Sequence, residues 1–285
     1  MRHWQLAIGT VGIDVSCDVP ACTPILDAML RLYNRRSEGK AQITFRIEQD
    51  ATGDGMTLSV NDQPLWHGHD ATETAAGFEV HFYLYALNAL QPDCLSLHAA
   101  TVGIDGQAVS LAGISGAGKS SLCTAAVLDG AAYLSDEFSL LSGDGHIVPF
   151  PRPLQWGKQR HPAFRHAELQ QAGLAKFLFR FPDYRGKTLA NLLWLPPTPC
   201  REPLPLATIV FPTYSRDAVM QPTPLRRSQA LIEIATHMHH QLPPAEMIRE
   251  LNRRIPSITR FFALPFNNAR DAWSRIRQEL GTASS

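Results

Sequence analysis

The run Gly113-Ile114-Ser115-Gly116-Ala117-Gly118-Lys119-Ser120 sets a lysine and a hydroxyl behind three glycines, the spacing of a phosphate-binding loop. Glycines at 113, 116 and 118 open backbone conformations that a Cβ would close, so successive N–H groups can turn toward anionic oxygens. Lys119 is placed to reach the outer phosphates of a nucleotide and the Ser120 hydroxyl to ligate Mg²⁺, while Ser121 continues into the helix start with its unpaired N–H groups. Sixteen positions beyond Ser120 stands the pair Asp136-Glu137. One carboxylate of such a pair can hold the metal and the other can accept a proton from an attacking hydroxyl. Upstream, His98 lies on the strand expected beside the loop strand, and downstream Arg152 is held between two prolines, where it can meet a phosphoryl group or a substrate carboxylate.

These groups need elements that bring them together. Residues 108–112 predict a short buried strand and 121–128 a helix, giving strand, loop, helix around the glycines. Residues 95–102 predict the neighbouring strand, joined by the hairpin signal Asp105-Gly106. After Asp129-Gly130 ends the helix, 131–134 predict a strand with the acidic pair at its carboxyl end, where ligands gather in open α/β sheets. Both carboxylates are expected to face the phosphates. Further on come a strand at 207–211 ended by Pro212, a helix at 230–235, a strand at 258–264 and a basic amphipathic helix at 269–280. Residues 149–153 read as a stiff, extended connector.

The first ninety residues carry no phosphate motif. Apolar residues at helical spacing between Pro24 and Tyr33, alternation at 42–48 and 57–60, a turn at 61–64 and a helix at 78–90 predict a small mixed domain for packing or substrate presentation. The boundary is set at Gln91-Pro92-Asp93, giving domains 1–91 and 92–285. The fold class is α/β, α+β overall: a phosphate-loop core with a small mixed N-terminal domain.

Basic and acidic residues number 26 each, so no broad electrostatic attraction for nucleic acid or anionic lipid is expected. No apolar run approaches bilayer length and residues 1–5 do not open a signal peptide; the expected address is the cytoplasm. Five scattered cysteines point to reduced thiols. Cys17 and Cys22 read as buried small hydrophobes, His67-Gly68-His69-Asp70 as a solvated turn, and His237-Met238-His239-His240 as a plain helix end rather than metal sites. Residues 160–200 mix His161, Arg165, His166, Lys176, Arg180, Arg185 and Lys187 with aromatics; such a run can bind a peptide or phosphate, and it is read first as a partly mobile surface loop.

Taken in order, His98, Gly113 to Ser120 and Asp136-Glu137 resemble the HPr serine kinase/phosphorylase family, over about residues 95 to 142, about a sixth of the chain. Within it the chain is most similar to the divergent, kinase-like branch associated with peptide modification, including lasso peptide kinases. The resemblance implies a phosphate-loop kinase fold shared with phosphoenolpyruvate carboxykinases, ATP and Mg²⁺ as cofactors, and phosphorylation of a serine hydroxyl. It implies that His98 assists at the phosphates and acceptor, that Lys119 holds phosphates, that Ser120 and Asp136 contact Mg²⁺, and that Glu137 stands at the base position. The chain departs from the family in three places. Asp-Glu replaces the usual Asp-Asp, Ser121 replaces glutamate, and the later glycine-rich segment that engages HPr is missing.

The expected activity is ATP-dependent transfer of the γ-phosphoryl group to a serine-type hydroxyl of a peptide or small protein. Two alternatives stand beside it: a kinase of an amino acid or sugar hydroxyl, and a non-catalytic ATP-binding regulatory module. Assembly into a homo-oligomer is left open.

Overall fold

Residues 1–285 were analysed as a computed structural model, which describes all positions except 37, 38, 52, 92, 156–160, 162, 183–187, 198, 237, 239–241 and 282–285, and the side chains of 177–182 and 188–192. The chain is mixed α/β and divides into two compact units. The first comprises Met1–Asp93, Gly157–Gln159 and Leu174–Leu195; the second comprises Cys94–Trp156, Arg160–Gly173 and Pro196–Ser285. No helix among the described residues is long and apolar enough to cross a membrane.

Alternating apolar residues build the sheet of the first unit. Its elements are β1 (Arg2–Ile8), β2 (Val11–Cys17), α1 (Thr23–Leu30), β3 (Asn34–Arg35), β4 (Ile43–Gln49), β5 (Met56–Val60), β6 (Gln63–Gly68) and α2 (Ala71–Leu90). The six strands lie in the order β3-β1-β2-β4-β5-β6. The α2 helix seats Phe78 and Phe82 on Phe45 of β4, with ring centroids 5.4 and 6.0 Å away. This helix begins seven residues before the predicted start at 78. Asp70 caps the helix by accepting the N–H groups of Thr72 and Glu73 at 2.8 and 2.9 Å, and Glu73 reaches back to accept that of His69, just before the cap, at 2.9 Å. The first two turns are small or polar, so no apolar stripe announces them. The turn predicted at 61–64 is Asn61 and Asp62, both at positive φ, with Gln63 and Pro64 already in β6.

The predicted surface loop of 160–200 is a second departure. Its later part forms an antiparallel hairpin of β12 (Ala175–Pro182) and β13 (Thr188–Leu195), belonging to the first unit. Arg185 and Lys187, and the side chain of Arg180, lie outside the described residues.

In the second unit, β7 (Cys94–Ile104) and β8 (Gln107–Ala112) meet at Asp105 and Gly106, with φ of 50° and 74°, the left-handed pair a tight hairpin requires. There follow α3 (Lys119–Leu128), β9 (Ala132–Ser135), β10 (Phe138–Ser142), β11 (His146–Val148), α4 (His166–Gln171), β14 (Leu204–Tyr214), β15 (Thr223–Pro224), α5 (Arg227–Thr236), α6 (Pro244–Arg254), β16 (Arg260–Phe266) and α7 (Ala269–Gly281). The sheet order is β11-β10-β7-β8-β14-β16-β15, with β9 on β7 and β11 also pairing the start of β14. β8, β14 and β16 run parallel. Pro212 does not end β14 as expected. Pairing with β8 stops at Val210↔Leu111, so from there only β16 neighbours the strand, and an edge accommodates a residue without an N–H. The α7 helix is tied to the end of α3 by Trp273 and Arg277, which donate to Asp129 at 2.9 and 2.7 Å.

Beneath the glycine loop, Thr101, Ser110 and Ser139 are fully buried on adjacent strands and bond one another at 2.8 to 3.1 Å. Three hydroxyls closed on themselves satisfy polar groups that water cannot reach. Thr101→Val keeps the branched shape and leaves two serines short of a partner. It is expected to lower unfolding free energy by about 1–3 kcal/mol in urea titration; an unchanged midpoint would show that the triad contributes no stability.

Candidate functional site

The β8 strand ends at Ala112 and the chain turns through Gly113, Gly116 and Gly118 at φ of 152°, 84° and 96° before entering α3. At Gly118 a Cβ would stand 2.4 Å from the Phe266 ring and 3.5 Å from Tyr214 Cβ. The two rings that press on this glycine come from the ends of β16 and β14, and they pack edge to face at 5.7 Å. Conformation and space therefore both require glycine at 118. Ile114 and Tyr214 are exposed at the loop. With Gly118 as the cap, the first turn of α3 carries Lys119, Ser120 and Ser121, and its unpaired N–H groups give that end a positive field.

Lys119 is buried, and its ammonium donates to the carbonyls of Gly113 and Ile114 at 2.7 and 3.0 Å. The lysine thus folds back over its own loop. Burial lowers its pKa, and the charge of Asp136 opposes that shift.

Asp136 is 7% exposed. Its Oδ2 accepts the Gln155 N–H at 3.3 Å, while buried Oδ1 has no hydrogen-bond partner among the described residues. The Ser120 hydroxyl favours the ionised form of the carboxyl. Desolvation dominates and raises the pKa to about 7, against the lowering effects of Ser120, Gln155, Arg152 and Lys119. A serine hydroxyl beside an unsatisfied carboxylate oxygen is a donor set that suits a hard cation such as Mg²⁺.

Glu137 is placed differently. Ser135 pairs with Thr101 and Phe138 with His98 on β7, and Asp136 and Glu137 form the bend between these two anchored residues. Glu137 is half-exposed and ion-paired with Arg152. Arg152 lies 5.9 Å from the Phe138 ring centroid, and its carbonyl accepts the Tyr133 hydroxyl. Asp136 is the carboxylate whose charge acts on Lys119, while Glu137 pairs with Arg152, whose charge also acts on Asp136. His98 is half-buried on β7 opposite Phe138, one position beyond the Ala99↔Ala112 pair and hence level with the loop's first glycine.

Sequence reasoning named His161 only as part of the 160–200 run and missed its contact with the start of α3. Its Nε2 lies 2.7 Å from Ser121 Oγ. No spacing signal links residues 40 positions apart, so only the fold could bring them together.

The other clusters fall elsewhere. His67 pairs with Asp50 at 3.1 Å, and Asp70 is spent capping α2. Cys17 and Cys22 are buried free thiols. Among the described residues no three His, Cys, Asp or Glu side chains converge as a metal site, and His237, His239 and His240 lie outside them. No protein-family model matches the chain, and no curated protein matches it.

The raised pKa of Asp136 sets a pH signature. Below about pH 4 the group is protonated in both folded and unfolded chains. Between about pH 4 and 7 only the folded chain keeps the proton, so ionisation costs stability, reaching on the order of 4 kcal/mol above pH 7. In metal-free buffer Asp136→Asn is therefore expected to be more stable than the parent at pH 8, with the gap closing toward pH 4. Guanidinium titrations across that range would detect it, and a gap independent of pH would contradict the burial argument.

Proposed function

We propose that the chain is an ATP-dependent kinase that transfers the γ-phosphoryl group to a serine-type hydroxyl of a peptide or small protein. In this reading the second unit is a phosphate-loop kinase core of the HPr kinase and phosphoenolpyruvate carboxykinase type, working in the cytoplasm. The observation that carries the reading is the unpartnered, buried Oδ1 of Asp136 beside Ser120 at a glycine loop ending in Lys119. A carboxylate left without compensation in the core is costly unless a cation completes it.

The loop N–H groups and the start of α3 hold the phosphates, and Lys119 leaves its own loop carbonyls to neutralise them. Ser120 and Asp136 hold Mg²⁺, which when bound neutralises charge developing on the transferring group. Glu137 accepts the proton of the acceptor hydroxyl as that oxygen bonds to the γ-phosphorus and ADP departs. Arg152 keeps the Glu137 carboxylate oriented until the acceptor arrives. His98, level with the first loop glycine, stands beside the acceptor. No nucleic acid or membrane takes part, and the number of subunits is left open. Small hydroxyl compounds remain the second acceptor class, because Arg152 can pair with a substrate carboxylate as it does with Glu137.

Transfer of label from [γ-³²P]ATP to candidate peptides tests the reading. Lys119→Ala is expected to reduce the rate at least about 100-fold and Glu137→Gln by a similar factor, while Glu137→Gln keeps nucleotide affinity within about threefold. Equal transfer by the parent and Lys119→Ala would end the kinase reading. Full turnover by Glu137→Gln would remove that residue from the proton transfer.

A further inference from the structure

The hydrogen bonds around His161 fix its tautomer. Nδ1 accepts the Ala163 N–H at 3.0 Å and so presents a lone pair. The proton of the neutral ring then resides on Nε2, which lies 2.7 Å from Ser121 Oγ. It follows that Nε2–H donates and the serine oxygen accepts. This direction excludes a serine nucleophile activated by histidine, because a nitrogen already carrying its proton cannot take one from the hydroxyl. It also leaves the Ser121 hydroxyl proton free to donate elsewhere.

The ring is held from other sides as well. It packs against Phe164 at 4.7 Å between centroids, and Phe164 is 2% exposed. The Arg270 guanidinium lies 5.2 Å from the Phe164 ring centroid and pairs with Glu168. Burial lowers the His161 pKa and so favours the neutral ring.

A helix serine left to itself tends to bond back to a carbonyl of the preceding turn. Thr124 does so, donating to the Ser120 carbonyl at 2.7 Å. On the first turn of α3, two residues after Lys119, the Ser121 oxygen is held by His161. Resting on the nucleotide reading above, we propose that His161 is a positioning residue: it sets the Ser121 hydroxyl as a donor to the phosphates held at the start of α3.

The test is calorimetric titration of the full chain with MgATP, with thermal melting used to verify each variant's fold. His161→Asn keeps an amide but is too short to reach Ser121; His161→Gln carries an N–H near the Nε2 position. His161→Asn is expected to weaken binding about ten-fold, and His161→Gln to restore it to within about threefold. Ser121→Ala, which approaches the same bond from the helix side, is expected to lose as much as His161→Asn, and the double variant no more than either. Undiminished binding by His161→Asn, equal loss in Asn and Gln variants, or additive losses with Ser121→Ala would each overturn the positioning role. A parent chain that binds no MgATP would instead overturn the nucleotide reading, and this inference with it.

Discussion

A carboxylate almost wholly removed from water, with one oxygen unsatisfied, is expensive to maintain, and the second unit is arranged around such a group at Asp136. Its position is set by Ser135 and Phe138, which pair with β7 on either side of the bend that carries the acid and anchor that bend on the strand adjoining β8. Carboxylate and glycine loop are thus fixed by a common neighbour. The same bend that buries Asp136 leaves Glu137 half-exposed and within reach of Arg152. Two adjacent acids thereby acquire different environments, one dry and only partly satisfied, the other half-exposed and paired.

The loop on the other side of the site is equally constrained. Phe266 and Tyr214 from the two parallel strands beyond β8 press on Gly118, which must adopt positive φ to let the chain enter α3. Lys119 is carried into the core by that entry and finds only loop carbonyls as hydrogen-bond acceptors among the described residues. Behind it, α3 is anchored at its far end, where Asp129 receives Trp273 and Arg277 from α7. Strand ends, loop and helix thus present a cluster of donors to the space that one buried acid adjoins.

Much of this was legible in the residues. The glycine spacing with Lys119 and Ser120 announces strand, loop and helix, and Asp105-Gly106 announces the hairpin before it, because both rest on local conformational needs of glycine. The acidic pair at the end of its strand was legible, but the ion pair of Glu137 with Arg152 was not, because it joins residues from separate segments that only the fold brings together. The start of α2 was hidden because small and polar residues carry no apolar period, although Asp70 and Glu73 spell its cap. Pro212 misled because the penalty of proline in a strand depends on whether that edge has a partner. His161 was out of reach altogether, since its role depends on a contact with a residue far away in sequence.

The central claim is that Asp136 holds a proton near neutrality until a metal-bound nucleotide displaces it. Calorimetric titration of MgATP at pH 6 in buffers of differing ionisation enthalpy counts that proton directly. The account predicts release of about one proton by the parent chain and close to none by Asp136→Asn. Binding by the parent with no proton released, or the same release from both chains, would contradict it.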